Sequence, residues 1–122
     1  MLAGSAAGSA APRKDPEALL ERAVDGRVAD APVRCIDSGF IRETRVIDDA
    51  AIVYVEGRTV YVNRPRVGRD ILDDSYLLVS KPLFSRLCSG DILQLRDPVS
   101  GMIAGSVRLE EFVPHRRPPK RR

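Results

Sequence analysis

Residues 44–63, TRVIDDAAIVYVEGRTVYVN, hold one period across two turn signals, and no other stretch constrains the fold as strongly. Ile52, Tyr54, Thr59 and Tyr61 alternate with Val53, Val55, Val60 and Val62. β-Branched and aromatic residues at a spacing of two suit a pleated strand, so the stretch predicts a β-hairpin. With Glu56 and Gly57 as a two-residue turn, Val53 would face Val60, Tyr54 would face Thr59 and Ile52 would face Tyr61, because paired strands bring side chains directly opposite one another. One face is then all valine. The other carries two phenols and a hydroxyl, so the valine face is expected toward the core and Tyr54, Thr59 and Tyr61 near an edge, a loop or a ligand. Upstream, Asp48, Asp49 and Ala50 mark a second turn, entered by a strand over residues 42–47. Turns of two and of three residues both fit, and the choice decides whether Val46 or Ile47 is buried, since a one-residue slip sends every side chain to the opposite face.

The rest of the chain is read around this meander. Its 122 residues, 43% hydrophobic and 30% charged, have the balance of one globular domain. No run approaches the roughly eighteen apolar residues of a membrane helix. Residues 1–12, MLAGSAAGSAAP, are small and unpatterned, with Leu2 the one strongly apolar side chain past Met1. They read as the back half of a signal peptide or as a disordered leader. A helix is expected over residues 15–25, with Asp15 as N-cap, Pro16 at the first helical position, Glu17 in the first turn and Gly26 just past the end. Its stripe of Leu19, Leu20, Ala23 and Val24 must dock on the sheet or on a partner, because so short a helix is marginal alone in water. Further strands are expected over residues 33–37, 76–79, 91–96 and 105–112. Residues 64–74 form a polar loop longer than most connections, and after Pro114 residues 115–122 form a disordered tail. The fold class is mainly β (α+β). It is one domain over residues 13–114, a small antiparallel meander or barrel-like sheet of about five to seven strands, with a short N-terminal helix.

Charge and side-chain chemistry narrow the functions open to such a domain. Twenty basic residues against seventeen acidic ones give +3. Five of the basic residues, Arg116, Arg117, Lys120, Arg121 and Arg122, fall in the last eight positions, so the rest of the chain carries −2. That balance argues against a nucleic-acid face over the body, and the tail reads either as a polyanion contact, to lipopolysaccharide, lipid headgroups or nucleic acid, or as a solubilising segment with no binding role. Within the body Arg58, Arg64, Arg66 and Arg69 form the one basic group. They read either as an anion site, with Gly68 letting amides turn toward the ligand, or as a solvated loop with Asp70 and Asp73 as partners. The sole histidine, His115, falls in the expected tail, so His-based dyads and triads lack their base in the body. Ser80 beside Lys81, with Ser85, reads as turn chemistry around Pro82. Asp48 with Asp49, and Asp73 with Asp74, lack the alternating spacing of a calcium loop and read as turns. No catalytic residue, metal or cofactor is expected.

Cys35 and Cys88 are the only cysteines. In an oxidising compartment they would bridge, closing a loop of about 54 residues worth about 4 kcal/mol; in the cytosol they would be two buried thiols. Three segments carry a resemblance: CIDSGFIRETRVIDDAAIVYVEGRTVYVNR, LCSGDILQLRD and GSVRLEEFVP. Together they resemble a family of small exported proteins of Gram-negative bacteria whose function is unknown. The resemblance implies a signal peptide or lipoprotein signal ahead of the domain and a bridge between Cys35 and Cys88. Members often carry a second cysteine pair, which would fall here near Arg66 or Val67 and near Val107. No activity comes with the resemblance. The leading expectation is therefore a non-enzymatic periplasmic or secreted module that binds an envelope protein or an anionic surface component through Tyr54, Thr59, Tyr61 and the loop over residues 64–74. One alternative is a small-molecule or anion site at the arginine group. The other is a nucleic-acid accessory protein acting through its tail, which requires a cytoplasmic location.

Overall fold

The computed structural model describes residues 15–79 and 85–118. The leader, Ser80, Lys81 and the tail residues Lys120, Arg121 and Arg122 lie outside the described residues. Helix α1 (Pro16–Ala23) precedes ten strands: β1 (Val28–Ala29), β2 (Cys35–Asp37), β3 (Glu43–Ile47), β4 (Ala51–Glu56), β5 (Thr59–Asn63), β6 (Leu77–Val79), β7 (Arg86–Cys88), β8 (Ile92–Arg96), β9 (Ile103–Arg108) and β10 (Phe112–Arg116). They build a five-stranded sheet in the order β1-β10-β5-β4-β3, a three-stranded sheet β6-β8-β9 and a ribbon β2-β7, antiparallel throughout. The chain is mainly β with one short helix. Among the described residues the strands number ten in three sheets, and none closes into a barrel. Of the strands beyond the expected seven, β1 and β7 are two and three residues long, too short for an alternation to register in sequence, and the five-residue β10 runs through Pro114, past the expected end of the closing strand.

In the central hairpin the two turn residues are Gly57 and Arg58, not Glu56 and Gly57, so that Val55 pairs with Val60, Tyr54 with Tyr61 and Val53 with Val62. Gly57 has φ +48 at the first central position, where a type II′ turn places glycine. The register differs from the expected one by two residues, an even slip that leaves both faces intact. Both faces are buried. The valines, with Ile47, Ala50 and Ala51, pack under Leu19, Leu20, Ala23 and Val24 of the helical segment. The opposite face, Ile52 and Tyr54 with Phe112, packs on Leu93, Leu95 and Val107 of the three-stranded sheet. The expectation that Tyr54, Thr59 and Tyr61 face a partner is corrected at its centre, since Tyr54 is 3% exposed. Alternation describes a sheet with one solvated face; here strands some forty residues further along supply a second layer that no local period reveals.

The turn from β3 to β4 has three residues, because Ile47 pairs with Ala51. Ile47 is buried on the helix side and Val46 is half-buried on the other. In α1 the Asp15 carboxylate accepts from the Glu17 N–H at 3.1 Å with Pro16 at the first position, as the capping signals require. The C-terminal end differs from expectation. Pro114 lies inside β10 rather than opening a tail, and His115 and Arg116 belong to the strand. Phe112 exchanges backbone hydrogen bonds with Val33, and the Pro114 carbonyl accepts from the Asp30 N–H at 2.8 Å. Proline's missing N–H therefore faces this irregular margin rather than the β5 ladder, which is where a strand tolerates it.

Cys35 and Cys88 form a disulfide directly across the β2–β7 ribbon. Backbone bonds from Ser89 to Arg34 and from Ser38 to Ser85 flank them. The cysteines thus occupy a non-hydrogen-bonded pair, where α-carbons approach most closely, here 4.0 Å. The Cys88 N–H points away from β2 and donates to the Asp91 carboxylate at 2.8 Å. The polar loop after β5 covers the edge of β9: the Arg108 N–H donates to the Val67 carbonyl at 3.1 Å, and Gly68, at φ +86, lies so close that any side chain would collide with the Ser106 carbonyl. Covering an exposed strand edge blocks pairing with another chain.

Candidate functional site

Two aspartate doublets that are 25 positions apart in sequence meet at one end of the sandwich. The turn after β3 holds Asp49 at φ +58, a conformation that aspartate tolerates better than most side chains. The Asp49 N–H donates to the Leu72 carbonyl at 3.2 Å, and the Asp48 carboxylate accepts from the Asp74 N–H at 2.8 Å. Asp73 accepts from the Ser75 amide at 2.8 Å and from its hydroxyl at 2.6 Å. These bonds lock the two segments together, and carboxylate oxygens of Asp48, Asp73 and Asp74 lie within 4.8 Å of one another. With Asp49 and Asp70 they line a cleft of about 870 Å³ whose remaining wall includes Leu19, Ile71 and Tyr76.

The electrostatics of this cleft are one-sided. Among the described residues no Lys, Arg or His pairs with any of the five carboxylates within 4.0 Å; the ion pairs are Arg45–Glu43, Arg64–Glu17 and Arg116–Asp30. Two like charges about 5 Å apart repel by on the order of 1–4 kcal/mol between the dielectric of water and that of a protein surface. The donors of Ser75 hold the Asp73 carboxyl below the usual aspartate range, so it stays ionised despite its neighbours. Three clustered carboxylates carry six oxygens, a donor set that suits a positively charged group, and the apolar wall beside them suits the body of an organic ligand.

The other sequence candidates are dispersed. Arg58 lies in the β4–β5 turn and Arg64 just past the far end of β5, roughly 20 Å away at about 3.3 Å per strand residue. Arg64 is bound by Glu17 at 3.2 Å, Arg66 shares a cleft of about 660 Å³ with Glu21, Glu110 and Glu111, and Arg69 lies in a 3₁₀ turn beside Asp70. Arg64 and Arg66 line that cleft together, whereas Arg58 and Arg69 lie elsewhere, so the four do not form a single group. Their sequence proximity misleads because β5 is extended and carries two of them to opposite ends. His115 is half-buried in β10 and lines the same glutamate-bearing cleft, inside the body rather than beyond it. Arg116, assigned to the tail, pairs with Asp30 at 2.7 Å, and Arg117 is exposed. Tyr61 donates to Glu56 at 3.0 Å, with its phenol raised by partial burial and then by that bond. The sequence marks each aspartate doublet as a turn, and only the hydrogen bonds joining residues 48–49 to 72–74, one between backbones and one to the Asp48 carboxylate, show that the doublets converge.

Compared with protein-family models, with curated proteins and with solved structures, the chain matches none.

Proposed function

We propose that this protein is a non-enzymatic binding module of an extracytoplasmic compartment, and that its ligand is cationic and binds in the acidic cleft. The observation that carries the reading is the gathering of Asp48, Asp73 and Asp74 within 4.8 Å, without a cationic partner among the described residues. A cation between them replaces mutual repulsion with attraction. The lowered Asp73 pKa also favours binding over catalysis, since a general acid or base works best with a pKa near the operating pH. The partner-binding role expected of the loop over residues 64–74 passes to its second half, because Asp70, Asp73 and Asp74 line the cleft.

Redox chemistry supports the compartment. An intramolecular disulfide persists where the surroundings are oxidising. The resemblance to small exported proteins supports the same location.

Calorimetric titration with tetralysine tests the reading. Binding is expected at about 50 mM salt, falling steeply by about 200 mM as screening shortens the reach of exposed charges. Replacing Asp48, Asp73 and Asp74 together by Asn should weaken it by about threefold to a hundredfold, since exposed pairs contribute roughly 0.2–1 kcal/mol each. Tetralysine binding that survives the triple substitution, or binding of polyglutamate in its place, overturns the proposal.

A further inference from the structure

The acidic cleft continues inward. Val46, Asp74 and Tyr76 also wall a second cavity of about 320 Å³, bounded by Tyr54, Leu78, Leu87 and Leu93. β3 and β6 are edge strands of their sheets, so this is the side on which the sandwich stays open. The volume falls at the lower end of small-molecule sites, which are apolar with a few placed polar groups. Tyr54 supplies such a group. Its hydroxyl is buried and has no hydrogen-bond partner among the described residues, whereas buried polar groups in folded proteins are nearly always paired.

We infer that the cleft and the slot form one site for a small organic amine, its charge among Asp48, Asp73 and Asp74 and its apolar body in the slot, with an uncharged polar atom reaching the Tyr54 hydroxyl as the side chains that cover it give way. This rests on the cationic reading of the cleft and adds the ligand's hydrocarbon half. Asp74 stands at the junction of the two cavities. An anionic amphiphile such as a fatty acid is repelled there, and an uncharged one gains nothing from the carboxylates.

The test is calorimetric titration of the full chain with n-alkylammonium ions from propyl to hexyl, alongside hexanol and hexanoate. Affinity is expected to rise about fourfold per added methylene, the equivalent of about 0.8 kcal/mol per buried CH₂. Methyl resonances of Leu78, Leu87 and Leu93 should shift, and hexanoate should not bind. An affinity flat from propyl to hexyl, with tetralysine still binding, refutes the slot and leaves the cationic reading standing. Hexanol binding as tightly as hexylammonium refutes the role of the carboxylates and takes that reading with it. Tyramine and phenethylamine differ by one hydroxyl at the end remote from the amine. The wild type should prefer tyramine by about two- to tenfold, the worth of one net hydrogen bond, and Tyr54→Phe should remove the preference. A preference that persists in Tyr54→Phe overturns the part assigned to Tyr54.

Discussion

Tyr54 shows how one residue serves packing and chemistry at once. Its ring meets Phe112 edge to face at a centroid distance of 5.7 Å, in the core between the two larger sheets. The aromatic contact stabilises, whereas the unpaired hydroxyl does not, because its desolvation is not offset by a bond. Tyr54→Phe should therefore leave stability unchanged or raise it by up to about 1 kcal/mol. A loss larger than that would show that the hydroxyl is bonded. The same substitution has a pH signature. Burial raises the Tyr54 pKa well above its ordinary value of 10.0. A raised folded-state pKa contributes stability that is complete below the unfolded value and is lost as pH rises above it, because only the unfolded chain then releases its proton. Thermal unfolding at about pH 9 and about pH 11 should show a smaller alkaline loss in Tyr54→Phe than in the wild type. Tyr61, whose pKa is also raised, keeps part of that loss in both proteins.

Among the elements, legibility followed the range of the forces. Helix α1 was readable because cap, first-turn proline and apolar stripe are all local to it. The hairpin was readable in its period but not in its register. Residues 55–60 offer glycine beside two turn choices, and only the pairing of Val55 with Val60 places Gly57 first. The ribbon of β2 and β7 was only partly readable. Cys35 marked a strand, whereas a three-residue β7 carries no period, and the fold alone sets Cys88 opposite Cys35. That bridge ties segments 53 positions apart in sequence. Reduction should lower unfolding stability by about 4 kcal/mol in the chain-entropy picture. The loss should appear equally in a Cys35→Ser, Cys88→Ser variant measured by urea unfolding. A loss below about 1 kcal/mol would mean that the reduced chain keeps the ribbon closed in its unfolded ensemble.

At the scale of the whole molecule, charge counting located the excess and missed its arrangement. The composition put −2 on the body, yet the carboxylates are not spread evenly. Five aspartates from two segments line one cleft, and glutamates gather around Arg64, Arg66 and His115 in another. Neither grouping is visible along the chain. The first depends on the Asp49–Leu72 and Asp74–Asp48 hydrogen bonds, the second on β10 returning beside β5. Pro114 hid that return, because a proline reads as the end of a strand unless its missing N–H is known to face an irregular margin.

The most direct measurement is an amide chemical-shift map of the full chain titrated with tetralysine. Shifts confined to residues 48–49 and 70–76, and reversed as salt is raised to about 200 mM, are the predicted result. Shifts centred on Arg58, Arg64, Arg66 or Arg117, or no shifts at any concentration, would contradict a cationic ligand in the acidic cleft.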